Sequence, residues 1–354
     1  MAWLRFCCLG LGLLACRNPE LEPGSIANSG VDIGALEVRA TGVFVEKPSM
    51  RGLDAFQREV LYGGTQGFWA WSFDGGNSWR QTSIAGTESL DFRDVALLEP
   101  GQALLMAAGP GTASRLYRSA DGGESWQLTW QAERPEAFWD AIAFWDQNRG
   151  LLFGDSLDGR FFLARSLDGG RSWQNLAPDS RPQALEGEHA FAASGLCLTV
   201  AGSESAWFAT GGRVARVFSS RDGGESWTST SVPIRHGEAS QGIFALAFQD
   251  SKIGVAVGGD YQEPDNPAGT WAWTEDGGAH WQSGKGPGPS GYRSAVVALG
   301  QGRFVAVGPN GWDQSFDGGR SWQALGGDGF HTLAYSSSRG RIFAGGSEGR
   351  HLRR

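Results

Sequence analysis

Cysteine is almost missing from the body of this 354-residue chain. Three of its four cysteines (Cys7, Cys8, Cys16) stand in the first sixteen residues, and only Cys197 lies beyond them. No intramolecular disulfide framework is expected, so the fold must stand on packing alone. Long apolar runs are missing too: Phe6 to Leu14 falls short of the roughly 17–25 residues that a membrane-spanning helix requires. Positive charge is in deficit. Lys and Arg number 30 against 38 Asp and Glu, for a net charge of −8. That is the wrong sign for gripping duplex nucleic acid through its phosphates, and no nucleic-acid partner is expected. Sustained helical periodicity is absent. So are the HxH and HExxH spacings of metal sites and the GxxxxGK of a phosphate-cradling loop, and neither metal nor cofactor is expected. What abounds is glycine, with 55 residues, about twice the usual share, and tryptophan, with 16. The glycines do not fall every third residue, which excludes collagen. Hydrophobic residues at 40 % and aromatics at 12 % supply a core that a disordered chain lacks.

The first residues read as an address. One positive charge at Arg5 precedes the short apolar run, the layout of a secretory signal. Its end, Leu13-Leu14-Ala15-Cys16, resembles the lipobox of bacterial lipoproteins, where cleavage precedes the cysteine and lipid joins its sulfur. The resemblance implies a signal peptide over residues 1–15 and a lipidated Cys16 as the mature N-terminus. Arg17, in place of Asp, favours the outer membrane. An ordinary secretory signal with coincidental cysteines is the alternative. From Arg17 to Gly34 the chain carries two prolines, small polar residues and no apolar period, so residues 16–34 read as a flexible tether. The expected location is the periplasmic side of a bacterial cell envelope.

One unit then recurs. SFDGGNSW (72–79), SADGGESW (119–126), SLDGGRSW (166–173), SRDGGESW (220–227), TEDGGAHW (274–281) and SFDGGRSW (315–322) share one pattern. This pattern resembles the Asp-box (BNR) repeat of β-propellers. Its aspartates Asp74, Asp121, Asp168, Asp222, Asp276 and Asp317 are spaced by 47, 47, 54, 54 and 41 residues, the length of a four-stranded blade. Two glycines supply positive φ for a tight hairpin, and the aspartate accepts amide hydrogen bonds inside it. A structural role is expected for these aspartates; a catalytic or calcium-binding role is the alternative. Short apolar strands such as FRDVALL (92–98), WDAIAFW (139–145) and RFFLARS (160–166) alternate with turns, as an all-β radial fold requires. The tail RIFAGGSEGRHLR (341–353) repeats EVLYGGTQGFWAW (59–71) without a following motif. A seventh blade therefore ends after three strands, and LEVRATGVFV (36–45) is free to complete it. The expected fold is all-β: a single seven-bladed β-propeller over residues 35–354, closed by an N-terminal strand that leaves no open edge.

In a propeller the first strand of each blade lines the central channel. Aligning these strands on their small apolar centres puts Arg51, Arg93, Asp140, His189, Gly242, Arg293 and His331 in one register. Glu188 flanks this set, and Asp155, Asp260, Tyr261 and Asn310 open on the same face. Arg51, Arg93 and Arg293 are expected to converge on an anionic group, with carboxylates and aromatics around them. The alternative is an ion-pair network that keys blade to blade. Tyr292 alternates with Arg293 and is expected to face away from the channel.

The segments MRGL (50–53), LDFRD (90–94), FWDAIAFW (138–145), GDSLDGRFF (154–162), GEHAFAASG (187–195), VGGDY (257–261) and GYRS (291–294) run in order over residues 49–330. Together they resemble the bacterial proteins grouped with photosystem II stability/assembly-factor propellers, which often carry an oxidoreductase label. The resemblance implies a non-enzymatic binding or assembly scaffold, with Arg51, Arg93 and Arg293 as counterparts of an arginine patch that meets a partner protein. The expected partners are a membrane, through the lipid, and a protein or an anionic small molecule or glycan; the chain is expected to be a monomer. A sialidase-like glycoside hydrolase or glycan-binding propeller is the alternative, although its chemistry needs an activated tyrosine and an opposed carboxylic acid.

Overall fold

The computed structural model describes residues 40–284 and 286–354; the segments expected to be a signal peptide (1–15) and a tether (16–34), Cys16 included, lie outside them. Short apolar strands joined by glycine turns pair with their chain neighbours, because the turns leave no slack for anything else. The result is a succession of antiparallel sheets. Blade one is built from Met50–Phe56, Glu59–Gly64, Phe68–Ser72 and Arg80–Ser83. Blade two comprises Phe92–Glu99, Gln102–Ala107, Arg115–Ser119 and Gln127–Gln131. Blade three comprises Trp139–Phe144, Gly150–Leu157, Arg160–Ser166 and Gln174–Asn175. Leu198–Ala201, Ser205–Ala209, Arg216–Ser220 and Thr228–Ser231 form blade four. Gln241–Phe248, Gly254–Asp260 and Trp271–Thr274 form blade five, with Trp273 bridged to Gln282 at its outer edge. Blade six holds Ala295–Gly300, Arg303–Gly308, Gly311–Ser315 and Gln323–Gly326.

Blade seven is made from both ends of the described chain. Thr332–Ser336, Arg341–Gly345 and Arg350–Arg353 supply three strands, and Ala40–Val43 pairs antiparallel with the last, Ala40 opposite Arg353. The first strands touch in sequence round the ring, and Thr332–Ser336 returns to Met50–Phe56. The described residues contain short 3-10 turns and no α-helix. Seven blades and N-terminal closure are the architecture that the repeat arithmetic predicts.

Apolar faces meet between blades. Trp69, Trp71 and Leu61 of blade one pack on Phe92, Val95 and Leu105 of blade two, and Phe153 and Phe161 of blade three on Phe208 and Phe218 of blade four. The six S/T-x-D-G-G turns share one hydrogen-bond plan. In the first, Asp74 Oδ1 accepts the amides of Asn77 and Ser78 at 2.9 Å, Ser78 donates its hydroxyl to Oδ2 at 2.7 Å, and Ser72 Oγ accepts the Gly76 amide at 2.8 Å. Gly75 and Gly76 sit at φ of 77° and 82°, where a β-carbon is strained. Thr274 and His280 play the serine parts around Asp276. Each carboxylate is consumed by its own turn, which is a structural use.

One element departs from the expected layout. The first strand of blade four begins at Leu198, not within residues 187–195. Only Glu188–His189 of that stretch is strand. It pairs with Gly211–Gly212, which in turn joins blade five through Gly211 and Gly242. Residues 190–197 run to the Arg51 and Arg93 side chains without strand pairing.

Candidate functional site

The first strands carry bulges at the end where they begin. Pairing skips Arg51, Arg93, Asp140 and Phe244 in blades one, two, three and five. In blade six the Ser294 amide donates to Val307, which already faces Ala295. In blade seven the His331 amide donates to Gly345, which faces Thr332. A bulge re-aims its extra side chain, and all six of these residues line one cavity of about 540 Å³.

The cavity is sectored by charge. Arg51 and Arg93 form a cationic arc, donating to the carbonyls of Ala193 (3.3 Å) and Ala192 (3.2 Å). Arg93 Nε also reaches Asp91 at 2.7 Å, whereas Arg51 has no carboxylate within ion-pair distance among the described residues. Burial, and then the neighbouring Arg93 charge, push the Arg51 guanidinium below its usual range. Burial, followed by Arg51 and Arg350, holds His331 down to about 4, so it is neutral at pH 7. Blade three supplies the opposite sign. Asp140 is 1 % exposed, and neither carboxylate oxygen has a hydrogen bond of acceptable geometry. Burial pushes it well above the carboxylate range and the Asp155 charge adds to this, with Arg93 and the Asp155 and Ala192 amides pulling weakly the other way. Asp155 is likewise raised by burial, although its Oδ1 accepts the Ala190 amide at 2.9 Å.

Aromatic rings close the remaining arc. Phe191 stacks on Phe244 at 3.9 Å, Tyr292 meets Phe244 edge-on at 4.7 Å, and His189 abuts Phe191 at 4.9 Å. Tyr261, 49 % exposed, stands at the rim beside Phe244. The His189 Nε2 atom lies 3.1 Å from the Ala239 carbonyl oxygen.

Of the residues singled out in the sequence, Arg51, Arg93, Asp140, Asp155, His189, Tyr261 and His331 border this cavity; Arg293, Glu188 and Asp260 do not. Arg293 is fully buried, its Nε 2.5 Å from Asp313 Oδ2 of blade six and its Nη1 bonded to Asn310 and the Tyr292 carbonyl. Tyr292 takes the cavity position instead, reversing the expected orientations. The bulge falls at Ser294, so simple alternation from Arg293 misassigns both neighbours. Gly308 permits this packing: a β-carbon there would stand 2.1 Å from the Tyr292 carbonyl. Gly242 gives way to Phe244 for the same reason. Glu188 is held by Arg216 (Nε–Oε1 2.9 Å) and the Thr210 hydroxyl, and Asp260 by Gln241 at 3.0 Å. These three side chains are satisfied inside the fold, Arg293 and Asp260 by partners in their own blades. Nothing in the sequence marks Phe191 and Phe244, and alternation gives Tyr292 the wrong face, because exposure to the cavity depends on a loop and on bulge positions. Gly345-Gly346-Ser347-Glu348-Gly349 spells a hydrolase nucleophile motif, yet it forms a 3-10 turn between two strands of blade seven, not a strand-to-helix elbow. No group of three or more metal-ligating side chains occurs among the described residues.

Fold and cavity define a seven-bladed β-propeller with a polar, aromatic-walled cavity at one end of its channel. No family model and no curated protein matches the chain. Solved structures that share the fold include YCF48 bound to a D1 peptide, with a TM-score of 0.63 and 14 % identity over 89 % of this chain and 95 % of that one. YCF48 from Cyanidioschyzon merolae gives 0.61 and 15 % identity, over 89 % of this chain and 98 % of the other. At these identities the likeness is one of fold.

Proposed function

We propose that the chain is a membrane-anchored binding and assembly scaffold that recognises a carboxylate-bearing group of a partner protein at Arg51 and Arg93. The observation that carries this reading is the pair of neighbouring guanidiniums lining one cavity, with no carboxylate within ion-pair distance of Arg51 among the described residues. An arginine with unfilled donors is suited to a carboxylate that fits its fork. A structural neighbour is described as bound to a D1 peptide, which supports a protein partner for a propeller of this shape. The Leu-Leu-Ala-Cys16 ending supports a lipid tether. The glycoside-hydrolase alternative draws on Tyr292, which does border the cavity. Burial pushes its phenol upward, the opposite of what a tyrosinate nucleophile needs.

The test is a pair of peptides, acetylated at the N-terminus and amidated at the C-terminus so that no other carboxylate remains, differing only by Glu or Gln at one position and titrated into wild type, Arg51→Ala and Arg93→Ala. Each guanidinium contributes a charge-assisted bond of about 1.5–3 kcal/mol. The Glu peptide should therefore bind wild type about ten- to a hundredfold more tightly than either variant. Equal affinity for both peptides across all three proteins would remove the carboxylate from the reading.

A further inference from the structure

Arg51 and Asp140 border the same cavity, and each is left without an oppositely charged contact. They do not satisfy each other. Other buried charged side chains are satisfied: Arg293 pairs with Asp313 and Arg216 with Glu188, and the Asp94 carboxylate accepts the Val95 and Ile142 amides. Leaving a buried carboxyl without a partner is costly; Asp140 is left so, and on another blade the half-buried Arg51 donates to a backbone carbonyl with no carboxylate in reach among the described residues, beside a wall of stacked rings.

We infer that the cavity takes a ligand of both signs, whose carboxylate meets Arg51 and Arg93, whose ammonium meets Asp140 and Asp155, and whose apolar flank lies against Phe191 and Phe244. The inference rests on the carboxylate reading above and adds a second pole to it. An ammonium suits the acidic pole better than an amide, because one amide N–H cannot serve two carboxyl groups whereas an ammonium carries three N–H donors. The raised carboxyls agree with this, since a cation delivered by a ligand is what would let both ionise. About 540 Å³ holds an amino acid with a large side chain. Free amino acids with aromatic side chains carry all three features, and so does a chain segment with adjacent acidic, aromatic and lysine side chains.

The experiment titrates phenylalanine, 3-phenylpropionate, phenethylamine and the capped tripeptide Glu-Phe-Lys into full-length protein in detergent. Phenylalanine or the tripeptide should bind at least about tenfold more tightly than either truncated analogue, each of which lacks one pole. Which of the two binds identifies a free amino acid or a chain segment as the source. Asp140→Asn should weaken that ligand about tenfold or more and leave 3-phenylpropionate unchanged. If 3-phenylpropionate matches phenylalanine and Arg51→Ala weakens both, the carboxylate reading stands and the second pole falls. If Arg51→Ala changes nothing, both fall. No binding by any of the four overturns the two-pole inference, while the Glu/Gln peptide pair still judges the carboxylate reading. Should Asp140→Asn shift the melting temperature but no affinity, Asp140 serves the fold alone and the inference is wrong.

Discussion

Arg51 and Arg293 share a side chain and a fold, yet their surroundings demand opposite outcomes on removal. Arg293→Ala strands Asp313, which is fully buried, and should cost about 3–5 kcal/mol, read as a large fall in melting temperature. Arg51→Ala and Arg93→Ala open only into a cavity that water can fill, and their melting curves should stay near wild type. Three equal drops would make the cavity arginines structural as well. The aspartates of the repeated turns respond to acid. The Ser125 hydroxyl and amide hold Asp121 down to about 2. At Asp74 and Asp276 desolvation pulls upward, but hydrogen bonds from the turn outweigh it and leave both at about 2. A depressed folded-state value means stability that is present above about pH 4 and lost as pH falls toward about 2. Asp121→Asn should flatten the dependence of melting temperature on pH inside that window and leave it unchanged above. Half-buried Asp54 and buried Asp94 have the opposite sign, since desolvation raises both and favours the neutral form in the folded state. Their contribution is full at low pH and fades as pH rises through their raised values. Residue roles of this kind were only half legible in sequence. Residue type and approximate place marked Arg51, Arg93 and Asp140, but a one-residue bulge decides whether Tyr292 or Arg293 faces the cavity, and no periodicity encodes it.

Strands and turns were more legible, for a physical reason. Six copies of one turn at blade-length spacing leave little freedom in how the intervening strands pair, and the unfinished seventh copy marks where the N-terminal strand belongs. The first strand of blade four is not where sequence places it because GEHAFAASG has the apolar composition of a strand; its Glu188 and His189 instead pair with Gly211–Gly212, and the residues after them run to the Arg51 and Arg93 side chains without strand pairing. The closing strand carries its own prediction. Deleting residues 17–43 removes the partner of Arg350–Arg353 and bares a strand edge that invites intermolecular pairing. Phe44, which packs on Tyr62 and Phe68 of blade one, would also lose its anchorage. A melting temperature well below that of the intact chain, with concentration-dependent aggregation by light scattering, is expected. A variant that melts within a degree or two of the intact protein would show the strand to be dispensable.

At the scale of the whole molecule, the lipid anchor proposed at Cys16 carries its own prediction. Cys16→Ser should then move the protein from the membrane pellet to the soluble periplasmic fraction and abolish labelling by a fatty-acid probe; an unlabelled wild type would refute it. The ring has a further consequence in time. Ala40 and Arg353 lie some three hundred residues apart in sequence and side by side in space, while blades one to six close through local hairpins whose loop entropy is small. Blades can form as they emerge during synthesis, but the circle cannot shut until the last strand has arrived. A chain broken off anywhere before Arg350 would hold every earlier blade and still present a raw edge on each side of the gap. Closure thus ties the two ends of the described chain to one event: until Arg350–Arg353 has been made, Ala40–Val43 has no strand to pair with.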